Sequence, residues 1–329
     1  MTRTPALIGL TAAVAATALV LTGCSSQGGR TTSDDAGSTS GGKDSGLTIA
    51  LVTHAAPGDT FWDIVRKGAE DAAKKDGVKL LYASDPDGSK QAQLVSQYTD
   101  QKVDGIAVSL AKPDALKSAV EGAEKAGIPV VSLNAGSSAY KDMGILEHFG
   151  QDEDVAGAAV GDKLESEGLS KPICVVQEQG NVSLDQRCAG IKKVPPDTQT
   201  LYVNGTDNSA VQSTVTAKLQ ADSSADSVVG LGAPYTAIIQ KAVAAANSKV
   251  KIASFDLNAD LAKSVKSGAV LFTVDQQPFL QGYEAIDSLV LYKQGGFELG
   301  GGQPTLTGPA IVDKDNVDDV LKYAEQGIR

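Results

Sequence analysis

One stretch of the chain, Thr53-His54-Ala55-Ala56-Pro57-Gly58-Asp59-Thr60-Phe61-Trp62, places an imidazole, a carboxylate and two adjacent aromatics within ten residues. Aromatic faces stack on the apolar faces of sugar rings, while carboxylates and amides satisfy several hydroxyls at once. Further polar residues recur along the chain at Asn134, at Gln179, Asn181 and Arg187, at Asp256 and Asn258, and at Asp275-Gln276-Gln277. Such a set suits a neutral polyhydroxylated ligand better than an anion. Turnover chemistry is poorly provided for. No G-x-S-x-G elbow, H-E-x-x-H pair or G-x-G-x-x-G after a strand occurs. The pairs Asp85 with Asp87 and Asp152 with Asp154 fall in turns or helix starts, where acids cap. Only Asp59 and Asp256 are placed to face each other as a glycosidase pair would. His54 is the one histidine near this chemistry, and His148 reads as structural. Two histidines and the spaced cysteines make no zinc pattern, so neither metal nor cofactor is expected.

The elements that must position these residues follow from periodicity. Short apolar runs at Leu47–Val52, Lys79–Tyr82, Gly105–Val108 and Pro129–Leu133 alternate with amphipathic helices over Phe61–Lys75, Lys90–Asp100 and Asp114–Ala126. The alternation repeats with strands at Ile173–Gln177, Thr200–Val203, Ser227–Leu231, Lys251–Phe255 and Val270–Val274. Helices separate them at Glu153–Glu167, Leu184–Lys192, Ala210–Gln220, Thr236–Asn247, Ala259–Ser267 and Phe279–Lys293. Apolar strands divided by amphipathic helices indicate parallel sheets covered on both faces. Two consecutive sets predict an α/β protein of two doubly wound lobes. Ligands of such sheets bind beyond the carboxyl ends of the strands, and that is where the polar residues above fall.

Composition narrows the compartment. The 329 residues carry 29 Lys and Arg against 40 Asp and Glu, a formal charge of −11. This balance lacks the footprint of a nucleic-acid binder. At the start, Arg3 precedes a 15-residue apolar run, Leu7–Leu21, which is shorter than a bilayer span of about 20 residues. It ends in Leu21-Thr22-Gly23-Cys24, which resembles the lipobox of bacterial lipoproteins and marks Cys24 for lipidation, with residues 1–23 as the signal peptide. Ser, Gly, Thr and Asp make up 18 of the 22 residues from Ser25 to Gly46. Such a segment buries too little apolar surface to fold, so residues 24–46 read as a flexible tether. Cys174 and Cys188 remain, and in an oxidising compartment a disulfide between them would close a short loop.

The segments TIALVTHAAPGDTFWDIVRKGAEDAAKK, VDGIAVSLAKPDALKSAVEGAEKAGIPVVSLN, FDLN and DQQPFLQGYEAIDSL resemble the ribose-binding-protein-like group of type I periplasmic binding proteins. The resemblance covers Leu47 to about Val320. It implies lobes of residues 47–151 plus 278–304 and 152–277 plus 305–329, joined by three crossovers near Gln151, Gln277 and Thr305 and closing over a sugar. Phe61 and Trp62 match the family's sugar-sandwiching aromatics, and Asp59 its polar residue just before them. Arg187, Asp256 and Gln276 match its arginine, the carboxylate of its F-D motif and its crossover glutamine. Asn134 and His54, each just after a predicted strand, complete the candidate contacts. Asn134-Ala135 replaces the Asp-Arg of ribose binders, and Gly232-Ala233 replaces their Asn-Asp. These departures point away from ribose, toward another pentose, a hexose or a polyol. The implied role is a monomeric binding lipoprotein on the extracytoplasmic membrane face, serving an ABC permease and its ATPase. The alternative is a sensory receptor for a sugar or furanone signal. A repressor of the same fold would need an N-terminal helix-turn-helix, where a signal and tether stand instead.

Overall fold

The computed structural model describes residues 45–329; residues 1–44, including Cys24 and most of the expected tether, lie outside the described residues. The first half alternates β1 (Thr48–Thr53), α1 (Thr60–Asp76), β2 (Lys79–Ser84), α2 (Gly88–Asp100), β3 (Gly105–Ser109), α3 (Pro113–Lys125), β4 (Val130–Asn134) and β5 (His148–Gln151). The second runs α4 (Glu153–Ser166), β6 (Pro172–Val176), α5 (Val182–Lys192), β7 (Gln199–Tyr202), α6 (Asn208–Ala221), β8 (Ser227–Gly230), α7 (Ala233–Ala245), β9 (Lys251–Phe255), α8 (Ala259–Ser267) and β10 (Phe272–Asp275). The chain then adds α9 (Pro278–Gly295), β11 (Thr305–Gly308), β12 (Ala310–Asp313) and α10 (Val317–Glu325).

Two six-stranded sheets result, in the orders β11-β5-β4-β3-β1-β2 and β12-β10-β9-β8-β6-β7. Every pairing in the first is parallel, with Ile49 opposite Leu80 on one side and Gly105 on the other. In the second only β12 runs antiparallel, against β10. Each sheet is buried on both faces, and the period of two shows in which core a side chain joins. Ile49 and Leu51 enter one cluster while Ala50 and Val52 enter another. Ile173 and Val175 likewise part from Cys174 and Val176.

The chain leaves the first sheet after Gln151 and returns between Asp275 and α9. Helix α9 belongs to the first lobe because it packs on α1, where a Cβ on Gly282 would overlap the carbonyl of Val65. The expected third crossing at Thr305 is corrected. Residues Thr305 and Leu306 still pair with Phe149 and Gly150 of the first sheet, and the crossing falls between Gly308 and Ala310. A side chain at Gly308 would stand 3.0 Å from Asp275 O and Gln276 Cα, so two crossings are in contact. The strands β5, β11 and β12 were not foreseen.

Candidate functional site

The carboxyl ends of both sheets face one cleft. Its lining includes all eight expected contacts, His54, Asp59, Phe61, Trp62, Asn134, Arg187, Asp256 and Gln276. The same wall carries Gln177, Glu178, Asn181, Tyr235 and Gly232, whereas Gln179 is not part of it. Local geometry fixes each position. Asp59 is the N-cap of α1 and accepts the Phe61 N–H at 3.1 Å, which sets the aromatic pair at the first helical turn. Phe61 and Trp62 meet edge to face, with centroids 5.2 Å apart and planes at 83°. Both also belong to the core of the first lobe, so they offer one angled wall and not two parallel plates.

Two cleft residues at strand ends occupy the left-handed region, Asn134 with φ 64° and Asp256 with φ 66°. Asn and Asp tolerate this conformation better than most side chains, and it turns their polar ends into the cleft. Gln276, on the second crossing, ties them together. Its Nε2 donates to Asp256 Oδ1 at 2.6 Å, and its Oε1 accepts from Asn134 Nδ2 at 3.2 Å and from Gln281 Nε2 at 2.9 Å. One amide therefore bonds a residue of each lobe.

Arg187 lines the cleft but is already engaged. Its Nε and Nη2 donate to the two carboxylate oxygens of Glu153 at 2.6 and 2.8 Å, and its Nη1 donates to Leu231 O at 3.2 Å. The partner lies in the same lobe, so the bond is internal and not a lobe-to-lobe tie. Glycine makes this pairing possible. A Cβ on Gly157 would run into Arg187 O and one on Gly190 into Asp154 O, so α4 and α5 approach backbone to backbone. The guanidinium also lies 4.8 Å over the Phe255 ring.

Electrostatics follow from burial. Burial pushes Asp256 up to about 7, against the lowering effect of Arg187 and Gln276. Burial likewise raises Asp59 to about 6, only partly offset by its bond from Phe61 N–H, and Tyr235 rises to about 12 through burial with Asp59 and Glu178 nearby. His54 is depressed by burial despite Glu178, which keeps it neutral. Its Nδ1 lies 2.7 Å from Ser109 Oγ, and its ring meets Trp62 edge to face at 4.7 Å.

Polar contacts bridge the cleft, which identifies a closed arrangement of the lobes. Val182 N–H donates to Ala111 O at 3.0 Å, Gly136 N–H to Ser183 Oγ at 3.3 Å, and Gln186 Nε2 to Ser138 Oγ at 3.3 Å. His54 Nε2 lies 3.5 Å from Asn181 Nδ2, and Lys112 Nζ 3.6 Å from Glu178 Oε1. The disulfide Cys174–Cys188, with Cα atoms 5.8 Å apart, links β6 to α5, the helix that carries Asn181 as its cap and Arg187 in its body. Outside the cleft, Asp87 and Asp152 cap α2 and α4 as expected of such acids. His148 is buried against Ser132. Asp313 sits on β12 and accepts from Lys163 at 3.0 Å.

Comparison with known proteins places this geometry among relatives. The periplasmic binding protein domain family matches residues 49–296. A ribose import binding protein of Haemophilus influenzae is 27% identical over 252 residues, covering 71% of this chain and 82% of its own. A carbohydrate transporter from Acidothermus cellulolyticus 11B, solved in complex with myo-inositol, is 49% identical with a TM-score of 0.85, over 86% of this chain and 99% of that one. An ABC transporter solute-binding protein from Burkholderia graminis C4D1M, solved with D-arabinose, is 28% identical with a TM-score of 0.74, over 83% and 97% of the two chains.

Proposed function

The chain belongs to the periplasmic binding protein domain family, and from that premise we propose that it captures a cyclic polyol of the inositol type for an ABC importer. At the coarser level it is a binding protein and not an enzyme, one that takes a monosaccharide or polyol for import. The observation that carries the reading is the convergence of Asp59, Phe61 and Trp62 from the first lobe with Arg187 and Asp256 from the second on one cleft. The kinship to a myo-inositol-bound transporter protein supports the ring class. Asp59 and Asp256 accept ring hydroxyls, the remaining Arg187 N–H groups donate to them, and the Phe61–Trp62 wall covers an apolar ring face.

Because the contacts come from both lobes, ligand favours the closed arrangement by its differential affinity for it. The closed form then presents surfaces of both lobes to a permease, whose transport its ATPase drives. In this reading Cys24 carries the lipid, the tether lets a monomer reach the permease, and the extracytoplasmic membrane face is the site of work. The sole tryptophan, Trp62, provides the test. Its emission is titrated with myo-inositol, other cyclitols, pentoses and hexoses. A saturable change with cyclitols, shifted to higher concentration in Asp256→Ala, is expected. No change with any of them, and an unmoved melting temperature, would overturn the proposal.

A further inference from the structure

The cleft is short of positive charge. Among its lining side chains Arg187 alone carries a fixed positive charge, against the carboxyls of Asp59, Glu178 and Asp256. That one cation is held at both carboxylate oxygens of Glu153. Lys112, at the rim, donates to Pro86 O at 2.8 Å and faces Glu178 from 3.6 Å. His54 is neutral. Among the described residues, the Asp59 carboxyl has only a backbone N–H as its hydrogen-bond partner. Asp256 is 7% exposed, and while Oδ1 accepts from Gln276, Oδ2 accepts no hydrogen bond from any described residue. This oxygen faces the cleft opposite Gly232, where even a Cβ would come within 3.6 Å of it. Phe61, Trp62 and Tyr235 add aromatic rings to the same lining. Carboxylates with an aromatic wall form the environment in which ammonium groups are bound.

We propose that the cleft selects its ring ligand by charge, accepting a polyol in which one hydroxyl is replaced by a protonated amine and rejecting its acidic counterpart. The inference rests on the cyclic-polyol reading of the same site. An ammonium donates three hydrogen bonds, enough for Asp59, Asp256 Oδ2 and Glu178, and it relieves the repulsion among them. Burial raises Asp256 against the lowering effect of Arg187 and Gln276, and the nearby Asp59 adds to the rise. A phosphate or carboxylate meets only Arg187, whose charge Glu153 already offsets, and adds to the repulsion among the carboxyls.

Calorimetric titration of the full chain at pH 7 compares myo-inositol, a monoamino-deoxyinositol and myo-inositol 1-phosphate. We expect the amine to bind at least as tightly as myo-inositol, by up to about tenfold, since hydrogen bonds to charged groups exceed neutral ones by about 1 kcal/mol. The phosphate should bind about a hundredfold more weakly or not at all. In Asp59→Asn, affinity for the amine should fall further than affinity for myo-inositol, a differential that loss of folding would not produce. Binding of myo-inositol with an amine more than about tenfold weaker overturns the charge selection and leaves the cyclic-polyol reading standing. Binding of the amine alone supports the charge selection. Silence from all three overturns it, and a response to pentoses or hexoses would then separate loss of the ring class from an inactive preparation.

Discussion

Asp256 brings the chemistry of the cleft into one side chain, a buried carboxyl whose two oxygens have different tasks. Oδ1 is held by Gln276, and Oδ2 accepts no hydrogen bond from any described residue. Replacing it with Ala removes a charge-assisted acceptor and should weaken cyclitol binding by about tenfold to a hundredfold in a fluorescence titration. Its pH signature can be worked out. A carboxyl that titrates near 7 when folded and near its ordinary 3.8 when unfolded keeps its proton longer in the folded state. Its contribution to stability is therefore fully present below about pH 4 and is lost as pH rises through 7. The ceiling of that contribution is roughly 4 kcal/mol. Melting curves of the wild type and Asp256→Asn at pH 4.5 and 8 should show a smaller loss over that range in the variant. The residues at strand ends were legible because a parallel sheet fixes where a ligand must sit. Glu153, Glu178 and Tyr235 were not, for different reasons. Glu153 reads as an ordinary acid in a helix's first turn until Arg187 is seen folded onto it from α5. Glu178 lies in a loop and Tyr235 in a helix's first turn, with no local pattern to separate them from surface residues.

At the level of the element, the second-lobe wall depends on how α4, α5 and β6 are held. The disulfide closes a loop of 14 residues' separation between β6 and α5. Cys188→Ala should cost up to about 3 kcal/mol of stability, read as a lower denaturant midpoint, and should weaken ligand binding because α5 carries Arg187. Reduction of the wild type should reproduce both effects. Gly190→Ala tests the helix contact itself. The added methyl meets Asp154 O and must push α4 from α5, at a cost of about 1–3 kcal/mol and with the Arg187–Glu153 pair disturbed. Most helices were visible from their periodicity, α8 to its end residues. The strands β5, β11 and β12 were not: β5 and β12 each follow a strand with no α-helix between, outside the alternation that marked the others, and β11 exposes its one large apolar residue, Leu306. Missing β11 also displaced the expected third crossing.

Across the whole molecule, the closed lobes are held at the rim by backbone and amide bonds and by one half-exposed ion pair. Lys112→Ala should therefore lower affinity less than tenfold, since such pairs contribute about 1 kcal/mol or less. Scattering in solution should show a smaller radius of gyration with saturating ligand than without it. The threading of the chain has a separate consequence. A protease cut between Gln151 and Asp152 would yield two polypeptides, but the longer one still contributes α9 and β11 to the first lobe. The pieces would elute together in native gel filtration and part only in denaturant, so the molecule is divisible as a chain before it is divisible as a body. Two fragments joined at that point should complement one another when expressed apart.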